Sequence, residues 1–274
     1  MTLHFFTFLV DINRHSKQNL VDCLKILVNS LNNQLSDFEL IVFTNFNPPQ
    51  LDKNVIYRKY YDNTKHLIYN DKWLNLSFNK INIYKDLYDE TNINYIWIDL
   101  DTIITYDISY LNNLNNFFII NGGNTLTKQN IFNNYPLKID TKDYIQGNFW
   151  KLDIQLYHEL MKTFKEINER GLELEYDLQC LFNYHINIKE NLNGVNLIGK
   201  NCFTNTLNGL GIWTNDGKDK HGNLQGLEQL YYDTNGILRT KYYPDKEIHL
   251  ISFTFFTIKE LWNHPTFKKI VLGS

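Results

Sequence analysis

The chain carries the stretch Tyr95-Ile96-Trp97-Ile98-Asp99-Leu100-Asp101-Thr102-Ile103-Ile104, an apolar run that contains two aspartates one residue apart. A run of β-branched and aromatic residues between polar, Asn-rich segments is typical of a buried strand. The two acids follow its most apolar part, at the carboxyl end of the predicted strand. Ligands of open α/β sheets bind outside the carboxyl ends of the strands. Because Mg²⁺ and Mn²⁺ prefer carboxylate oxygens, Asp99 and Asp101 are predicted to bind a divalent cation.

The chain before this stretch has the pattern of a βαβ unit. Residues Met1–Asp11 form a predicted strand, Asn13–Asn29 an amphipathic helix, and Phe38–Thr44 a second strand. A right-handed crossover makes two such strands parallel. A further helix, Trp73–Tyr88, runs directly into the aspartate strand. The sequence therefore predicts an α/β protein with a Rossmann-like mixed sheet flanked by helices.

Composition excludes several classes of function. With 274 residues the chain can form one large α/β domain or two small ones, and its net charge of -3 gives no general attraction to nucleic acid or anionic lipid. No run of 18 apolar residues predicts a transmembrane helix, so membrane contact would be peripheral. Three scattered cysteines, Cys23, Cys180 and Cys202, predict reduced thiols and a cytoplasmic protein. The abundance of Asn, Ile, Lys and Tyr is typical of an AT-rich bacterial or viral genome.

The loop after the first strand offers candidate groups for a nucleotide. Val10, Asp11, Asn13 and Arg14 leave the carboxyl end of that strand, where a base and ribose would lie. The carboxylate of Asp11 suits a uracil imide or a ribose hydroxyl, and Arg14 suits a phosphate. The alternative, that these residues only begin the following helix, fits the sequence equally well.

Two families place Asp-x-Asp at the end of a hydrophobic strand. Asp99 and Asp101 resemble the metal-binding pair of GT-A glycosyltransferases, and they also resemble the first motif of haloacid-dehalogenase-type phosphatases. The phosphatase pattern expects this strand near the amino terminus and a late acidic motif, neither of which the sequence has. The position of the strand therefore favours the glycosyltransferase. The plain alternative is that Asp101 caps a turn and Asp99 is solvated.

A closer resemblance is to the family 8 group of GT-A glycosyltransferases. Thr102-Ile103 follows the aspartates, and Asp107-Ile108-Ser109-Tyr110-Leu111 comes a few residues later, in the order found in that family. Lys80 falls where members usually have an arginine that binds the donor. The resemblance implies that Lys80 and the segment Asp99, Leu100, Asp101 bind the donor diphosphate together with Mn²⁺ or Mg²⁺.

The second half of the chain carries the segments that the resemblance assigns to the sugar and the acceptor. Gln146, Gly147 and Asn148 occupy the place of a family segment that lies against the donor sugar. Asp177, with Glu175 as a second candidate, matches a polar segment near the reacting carbon. The catalytic candidates are therefore Asp177, Gln146 and Glu175. The alternative is that acids beginning the predicted helix Glu173–Asn183 only interact with its dipole.

The last informative segment is a short apolar run, Glu247–Phe253, that contains His249. It resembles the late family segment whose histidine completes the metal site, which implies the ligand set Asp99, Asp101 and His249. Lys259 follows as a candidate diphosphate contact. The glycine-rich sequence from 186 to 246 predicts long loops, typical of an acceptor-binding region.

The resemblance spans about residues 3 to 262 and implies a single GT-A domain over residues 1–274. Residues 1–120 would form a nucleotide-sugar and metal half, and residues 121–274 a loop-rich acceptor half. The implied activity is metal-dependent transfer of a sugar, with retention, from a nucleotide sugar, expected to be a UDP-sugar, to a glycan, lipid-linked or protein hydroxyl. Alternatives are a dehalogenase-type phosphatase, a nucleotide-sugar pyrophosphorylase, whose Gly-rich basic loop is absent, and a non-catalytic sugar- or nucleotide-binding module.

Overall fold

The computed structural model describes residues 2–13, 15–62, 72–120, 128–140, 144–175, 177–198, 230–240, 247–252 and 268. The strands in this part of the chain are β1 (Leu3–Leu9), β2 (Phe38–Thr44), β3 (Val55–Lys59), β4 (Ile96–Ile98), β5 (Thr102–Ile104), β6 (Asn116–Ile120), β7 (Lys128–Asn130), β8 (Lys138–Asp140), β9 (Ile145–Lys151), β10 (Val195–Ile198), β11 (Leu230–Tyr232), β12 (Leu238–Thr240) and β13 (Leu250–Ser252). The α-helices are α1 (Lys17–Gln34), α2 (Lys72–Thr91), α3 (Ile154–Glu169) and α4 (Asp177–Asn183).

The protein is an α/β protein with a mixed sheet of seven strands in the order β10-β6-β9-β4-β1-β2-β3. Strand β1 pairs in parallel with β2, and β2 with β3, whereas β6 and β9 are antiparallel. The βαβ unit predicted from the sequence is thus confirmed. None of the helices in the described ranges has both the length and the apolar character needed to cross a bilayer.

Two compact units, interleaved along the chain, make up the protein. The first unit contains Met1–Tyr60, Ile98–Asn112 and Ile198–Ser274, and the second contains Tyr61–Trp97 and Asn113–Leu197. The division into a donor half, residues 1–120, and an acceptor half, residues 121–274, stays a prediction. Both aspartates of the Asp-x-Asp pair belong to the first unit.

Helix α1 of the first unit starts later than its apolar pattern predicts. Asn13 has a positive φ of 64°, which a helix does not allow. The hydroxyl of Ser16 then accepts a hydrogen bond from the backbone N–H of Asn19 at 3.1 Å and caps the helix. The helix therefore begins at Lys17 rather than Asn13, and it continues to Gln34.

Strand β5 runs beside α1 and carries β13 on its edge. The Ser30 hydroxyl of α1 accepts from the backbone N–H of Ile104 at 3.0 Å. On the other side, β13 pairs antiparallel with β5, so that Ser252 faces Thr102 and Leu250 faces Ile104. The late apolar run is therefore a strand, as predicted. The stretch from Tyr95 to Ile104 is two strands, because residues 99–101 form a turn.

The core of the second unit is aromatic. The rings of Trp97 and Trp150 stack with their centroids 6.3 Å apart, and Tyr84 meets Trp150 edge-on at 6.0 Å. The Tyr84 hydroxyl donates to the carbonyl of Leu152 at 2.6 Å. Burial, with Asp153 nearby, raises the pKa of Tyr84. The phenol therefore stays protonated and keeps this donor.

The predicted helix Glu173–Asn183 is wrong at its start. Gly171, with φ 64°, ends α3 as the sequence predicts. After it, Leu174 forms an antiparallel bridge with Phe132, and the N–H of Glu175 donates to the carbonyl of Ile131 at 3.0 Å. These bonds hold the segment extended, so α4 begins only at Asp177.

Candidate functional site

Asp99 and Asp101 lie in the turn that follows the fully buried strand β4. Both are half-buried. Asp101 lies near Cys23 of α1, where burial first, and the charge of Asp101 second, raise the pKa of the thiol. Two carboxylates one residue apart thus stand in a partly desolvated turn beside the first helix.

The loop after β1 is joined to the loop after β2 by a reciprocal pair of hydrogen bonds. The N–H of Asp11 donates to the side-chain oxygen of Asn45, and the amide of Asn45 donates to the carbonyl of Asp11, both at 2.9 Å. One carboxylate oxygen of Asp11 accepts from the N–H of Asn13 at 2.8 Å. Val10 before them is buried, and Arg14 lies outside the described residues. These bonds hold the loop after β1 against the loop after β2.

His249 is held at the opposite end of β5 from Asp101. Its carbonyl accepts from the N–H of Thr105 at 3.0 Å, and Asp101 is four residues, about 13 Å of extended strand, before Thr105. The ring Nδ1 bonds the hydroxyl of Tyr110 and Nε2 contacts Glu247, both at 3.1 Å. The structure thus gives both ring nitrogens protein partners and does not bring His249 together with the two aspartates.

His249 also packs against an aromatic ring. Tyr106 stacks on its imidazole with the ring centroids 4.4 Å apart and an interplanar angle of 18°. His249 itself is 5% exposed. Within the described residues, no group of three or more His, Cys, Asp or Glu side chains is arranged to hold a metal ion. The ligand set with His249 is therefore not assembled in this conformation.

The donor set of the aspartate turn nevertheless suits a hard cation. Mg²⁺ usually keeps several waters and is held by one or two carboxylates together with the phosphates of a substrate. Asp99 and Asp101 supply two carboxylates in one turn. The pair therefore fits Mg²⁺ or Mn²⁺ without a third protein ligand.

Lys80 is buried within the second unit. It is 9% exposed, and its Nζ lies 4.5 Å from the ring centroid of Trp97, a cation-π distance. Lys80 therefore does not lie on a solvated face of its helix. Its ammonium group lies against the ring of Trp97.

The segment predicted to lie against the donor sugar, Gln146 to Asn148, is part of strand β9. Side chains of α4 hold the first residues of this strand. Both backbone groups of Ile145 bond the side chain of the fully buried Asn183, the N–H donating at 2.8 Å and the carbonyl accepting at 2.9 Å. The N–H of Gly147 donates to Gln179 at 2.9 Å. Gln146 is half-buried and Asn148 buried. The structure thus brings the predicted sugar segment together with the predicted catalytic helix.

The catalytic candidates differ in how far the structure describes them. Glu175 is half-buried, and its Oε2 is buried without a hydrogen-bond partner among the described residues. Asp177 begins α4, but its side chain lies outside what the structure describes, and so does all of Lys259. Glu175 is therefore the candidate base with an observed environment.

No protein-family model and no curated protein matches this chain. The resemblance drawn from its motifs thus remains a prediction.

Two asparagines that the sequence patterns do not single out, Asn45 and Asn183, hold the loops and strands of these segments in place. The side-chain amide of each makes two hydrogen bonds, one as acceptor and one as donor, to the backbone of a single residue elsewhere in the chain. In a chain this rich in asparagine, residue type alone does not separate them from loop asparagines. The only sequence signal is position, because Asn45 directly follows a predicted strand and Asn183 ends a predicted helix.

Proposed function

We propose that the protein is a metal-dependent glycosyltransferase that moves a sugar from a nucleotide sugar to a hydroxyl acceptor. The expected donor is a UDP-sugar. The observation that carries the proposal is the turn with Asp99 and Asp101 directly after the buried strand β4 of an α/β sheet. Carboxylates at that position are suited to a cation that also binds a diphosphate. The order of motifs around the turn supports the same function.

Asp99 and Asp101 are proposed as the protein ligands of Mn²⁺ or Mg²⁺. When bound, the cation supplies Lewis-acid stabilisation of the negative charge that develops on the departing diphosphate. Such stabilisation is usually the largest single contribution to catalysis. Because the phosphates of a substrate commonly complete the coordination of such a cation, Asp99 and Asp101 would suffice as its protein ligands without His249.

The other candidates keep roles that follow from their chemistry. Asp11 and Asn13 would bind the ribose or base through the loop after β1. Lys80 would add positive charge for the diphosphate. The amides of Gln146 and Asn148 have donors and acceptors that suit sugar hydroxyls.

Glu175 and Asp177 are proposed as the polar groups near the reacting carbon. A carboxylate there acts as base on the acceptor hydroxyl in an inverting enzyme, or stabilises the developing cation in a retaining one. The family 8 resemblance favours retention. The anomeric configuration of the product, read by NMR, distinguishes the two.

Calorimetric titration with UDP-, GDP- and dTDP-sugars, in Mn²⁺ and in chelator, tests the proposal. We expect saturable binding of at least one donor that needs the metal, is abolished in Asp101→Asn, and is retained in the matched control Asp89→Asn. Asp89 is an exposed acid that pairs with Lys85. Failure of every donor to bind in the presence of either cation would contradict the proposal.

The same protein samples separate the alternatives. Hydrolysis of p-nitrophenyl phosphate that is lost in Asp99→Asn, without binding of a nucleotide sugar, would identify a phosphatase instead. Metal-dependent binding without nucleotide release in the presence of any acceptor would identify a binding module. Release of nucleotide on addition of a glycan acceptor would support the transferase.

A further inference from the structure

A polar cavity of about 450 Å³ lies in the second unit, against helix α3. Helix α3 contributes Glu159, Thr163 and Glu166, and the segment after α4 contributes His185, Lys189 and Asn191. The volume is in the range of small-molecule sites, about 300–1,000 Å³. The side chains that line it carry charges, amides, a hydroxyl or an imidazole, so it does not suit an apolar ligand.

The backbone of this segment has an unusual form. Tyr184–Ile188 makes one turn of π-helix, closed by a hydrogen bond from the N–H of Lys189 to the carbonyl of Tyr184 at 2.9 Å. Such turns are rare and are frequently found at functional sites. This turn carries His185 at its second position, and Lys189 directly follows it.

His185 lines the cavity with a deeply buried imidazole ring. Its side chain is 3% exposed, and Nδ1 lies 2.7 Å from the hydroxyl of Thr163. Nε2 has no hydrogen-bond partner among the described residues. The nearest acid, Glu159, is 3.9 Å from Nε2, which is too far for a hydrogen bond. An unpaired polar atom at this depth costs free energy until a partner arrives.

The neighbouring hydrogen-bond donors indicate which nitrogen of the His185 ring carries the proton. Lys189 Nζ lies 3.5 Å from the Thr163 hydroxyl, and the Asn191 amide nitrogen lies 3.5 Å from Nδ1. Both are donors, which favours the tautomer in which the Thr163 hydroxyl donates to Nδ1 and Nε2 carries the ring proton. Burial lowers the pKa of His185 and keeps the ring neutral at neutral pH. The ring thus holds an N–H donor at Nε2, buried beside the carboxylate of Glu159.

The charges around the cavity select the class of ligand. Glu159 and Glu166 are balanced by Lys162 and Lys189, and Lys189 bonds Glu166 at 2.7 Å. Two carboxylates disfavour an anion, and two ammonium groups disfavour a cation. A hydroxyl group both accepts and donates, so one hydroxyl can bridge the Nε2–H of His185 and the carboxylate of Glu159. The side chain of Glu159 is 49% exposed and can rotate to admit it.

We propose that this cavity binds a neutral saccharide, with a sugar hydroxyl accepting from His185 and donating to Glu159. The inference uses only residues of the second unit and does not depend on the aspartate turn. It assigns the protein a carbohydrate site separate from the proposed donor chemistry.

The test follows the ring nitrogens of His185 in long-range ¹H–¹⁵N spectra of the whole protein. The probes are glucose, galactose, N-acetylglucosamine and lactose, with inorganic phosphate as the charged comparison. We expect a proton on Nε2 without ligand, and a saturable shift of this signal with at least one of the sugars and none with phosphate. A shift with phosphate alone, or with none of the five probes, overturns the proposal.

Variants test the two bonds to the hydroxyl. His185→Leu should weaken sugar binding about tenfold, the effect of losing one hydrogen bond, and His185→Gln, with an amide N–H near the Nε2 position, should restore most of it. Glu159→Ala should also weaken binding about tenfold, whereas Glu169→Ala, an exposed acid of the same helix, should not. Glu159→Ala decides the question if the His185 variants fail to fold, because Glu159 lies at the surface. Equal binding by Glu159→Ala and Glu169→Ala would overturn the proposal.

One double variant separates this inference from the proposed function. Asp99→Asn/Asp101→Asn should lose metal-dependent nucleotide binding and keep the sugar-induced shift at His185. Loss of the sugar-induced shift in that variant, while the protein stays folded, would contradict an independent site.

Discussion

The two ends of strand β5 carry polar groups in different surroundings. Before the strand, Asp99 and Asp101 place two half-buried carboxylates in one turn. After it, His249 has bonds from both ring nitrogens, to Tyr110 and Glu247, and a stacked ring on one face. The first end has the donor set of a cation site, and the second has the bonding of a structural cluster. Residue type alone did not distinguish the two.

The largest expected difference between the two ends is in activity. Asp99→Asn/Asp101→Asn should lower metal-dependent nucleotide release at least about a hundredfold, because a bound cation contributes several kcal/mol to stabilising the leaving diphosphate. His249→Gln should change it less than about threefold. Initial rates at saturating Mn²⁺ measure both. A His249→Gln loss as large as that of the double variant would contradict the distinction between the two ends.

The stability of the protein should depend on His249 more than its activity does. His249→Ala removes two side-chain hydrogen bonds and a buried ring, and should lower the free energy of unfolding by about 2–3 kcal/mol. The exposed His158→Ala on α3 is the control and should change it by less than about 0.5 kcal/mol. Urea denaturation measures these values. An unaltered midpoint in His249→Ala would remove the structural role given to the cluster.

The hydrogen bond between Ser30 of α1 and Ile104 of β5 should contribute less to the free energy of unfolding than His249 does. Ser30→Ala leaves the buried N–H of Ile104 without its acceptor and should cost about 1–2 kcal/mol. The same denaturation experiment measures the loss, and hydrogen exchange at the Ile104 amide locates it. Unchanged exchange at that amide would show that Ser30 does not hold the strand.

A smaller loss of stability is expected from a change at Tyr110, the hydrogen-bond partner of His249 Nδ1. Tyr110→Phe keeps the ring but removes the hydroxyl that bonds Nδ1, and should cost about 0.5–1 kcal/mol because Tyr110 is partly exposed. In a double-mutant cycle with His249→Ala, the two losses should not add. Full additivity would show that the two side chains are not coupled.

The smallest effect concerns the thiol near the aspartate turn. Burial and the charge of Asp101 raise the pKa of Cys23, and only the thiolate reacts, so alkylation should be slow near pH 8 and rise at higher pH. Asp101→Asn removes a negative charge, which favours the thiolate and lowers this pKa. The rate of Cys23 alkylation at a fixed pH should therefore increase in the variant. An unchanged rate would show that Asp101 does not act on the thiol.

Much of the α/β fold could be predicted because its elements are defined by local patterns. The residues of β2 are buried except for Glu39, and the prediction gave both of its ends, Phe38 and Thr44. The predicted starts of helices were wrong where local hydrogen bonds outweigh the apolar pattern. Ser16 delays the start of α1, and the pairing of Leu174 with Phe132 keeps 173–175 out of α4.

The candidate site was less predictable, because its geometry depends on register and burial. A strand with one histidine near the carboxyl end of the chain fits a metal ligand and a structural residue equally well. Only the pairing of β13 with β5 shows that His249 lies beside Thr105. His185 was not singled out, because its importance comes from the π-helical turn and the depth of its ring. Neither leaves a signal in the sequence.

The most direct test of the central claim is anomalous diffraction at the manganese edge from crystals grown with Mn²⁺ and UDP. The proposal predicts one strong peak within bonding distance, about 2.0–2.2 Å, of carboxylate oxygens of both Asp99 and Asp101, with diphosphate oxygens completing the coordination. A manganese peak bound elsewhere, with the two aspartates making no contact to metal or nucleotide, would contradict it.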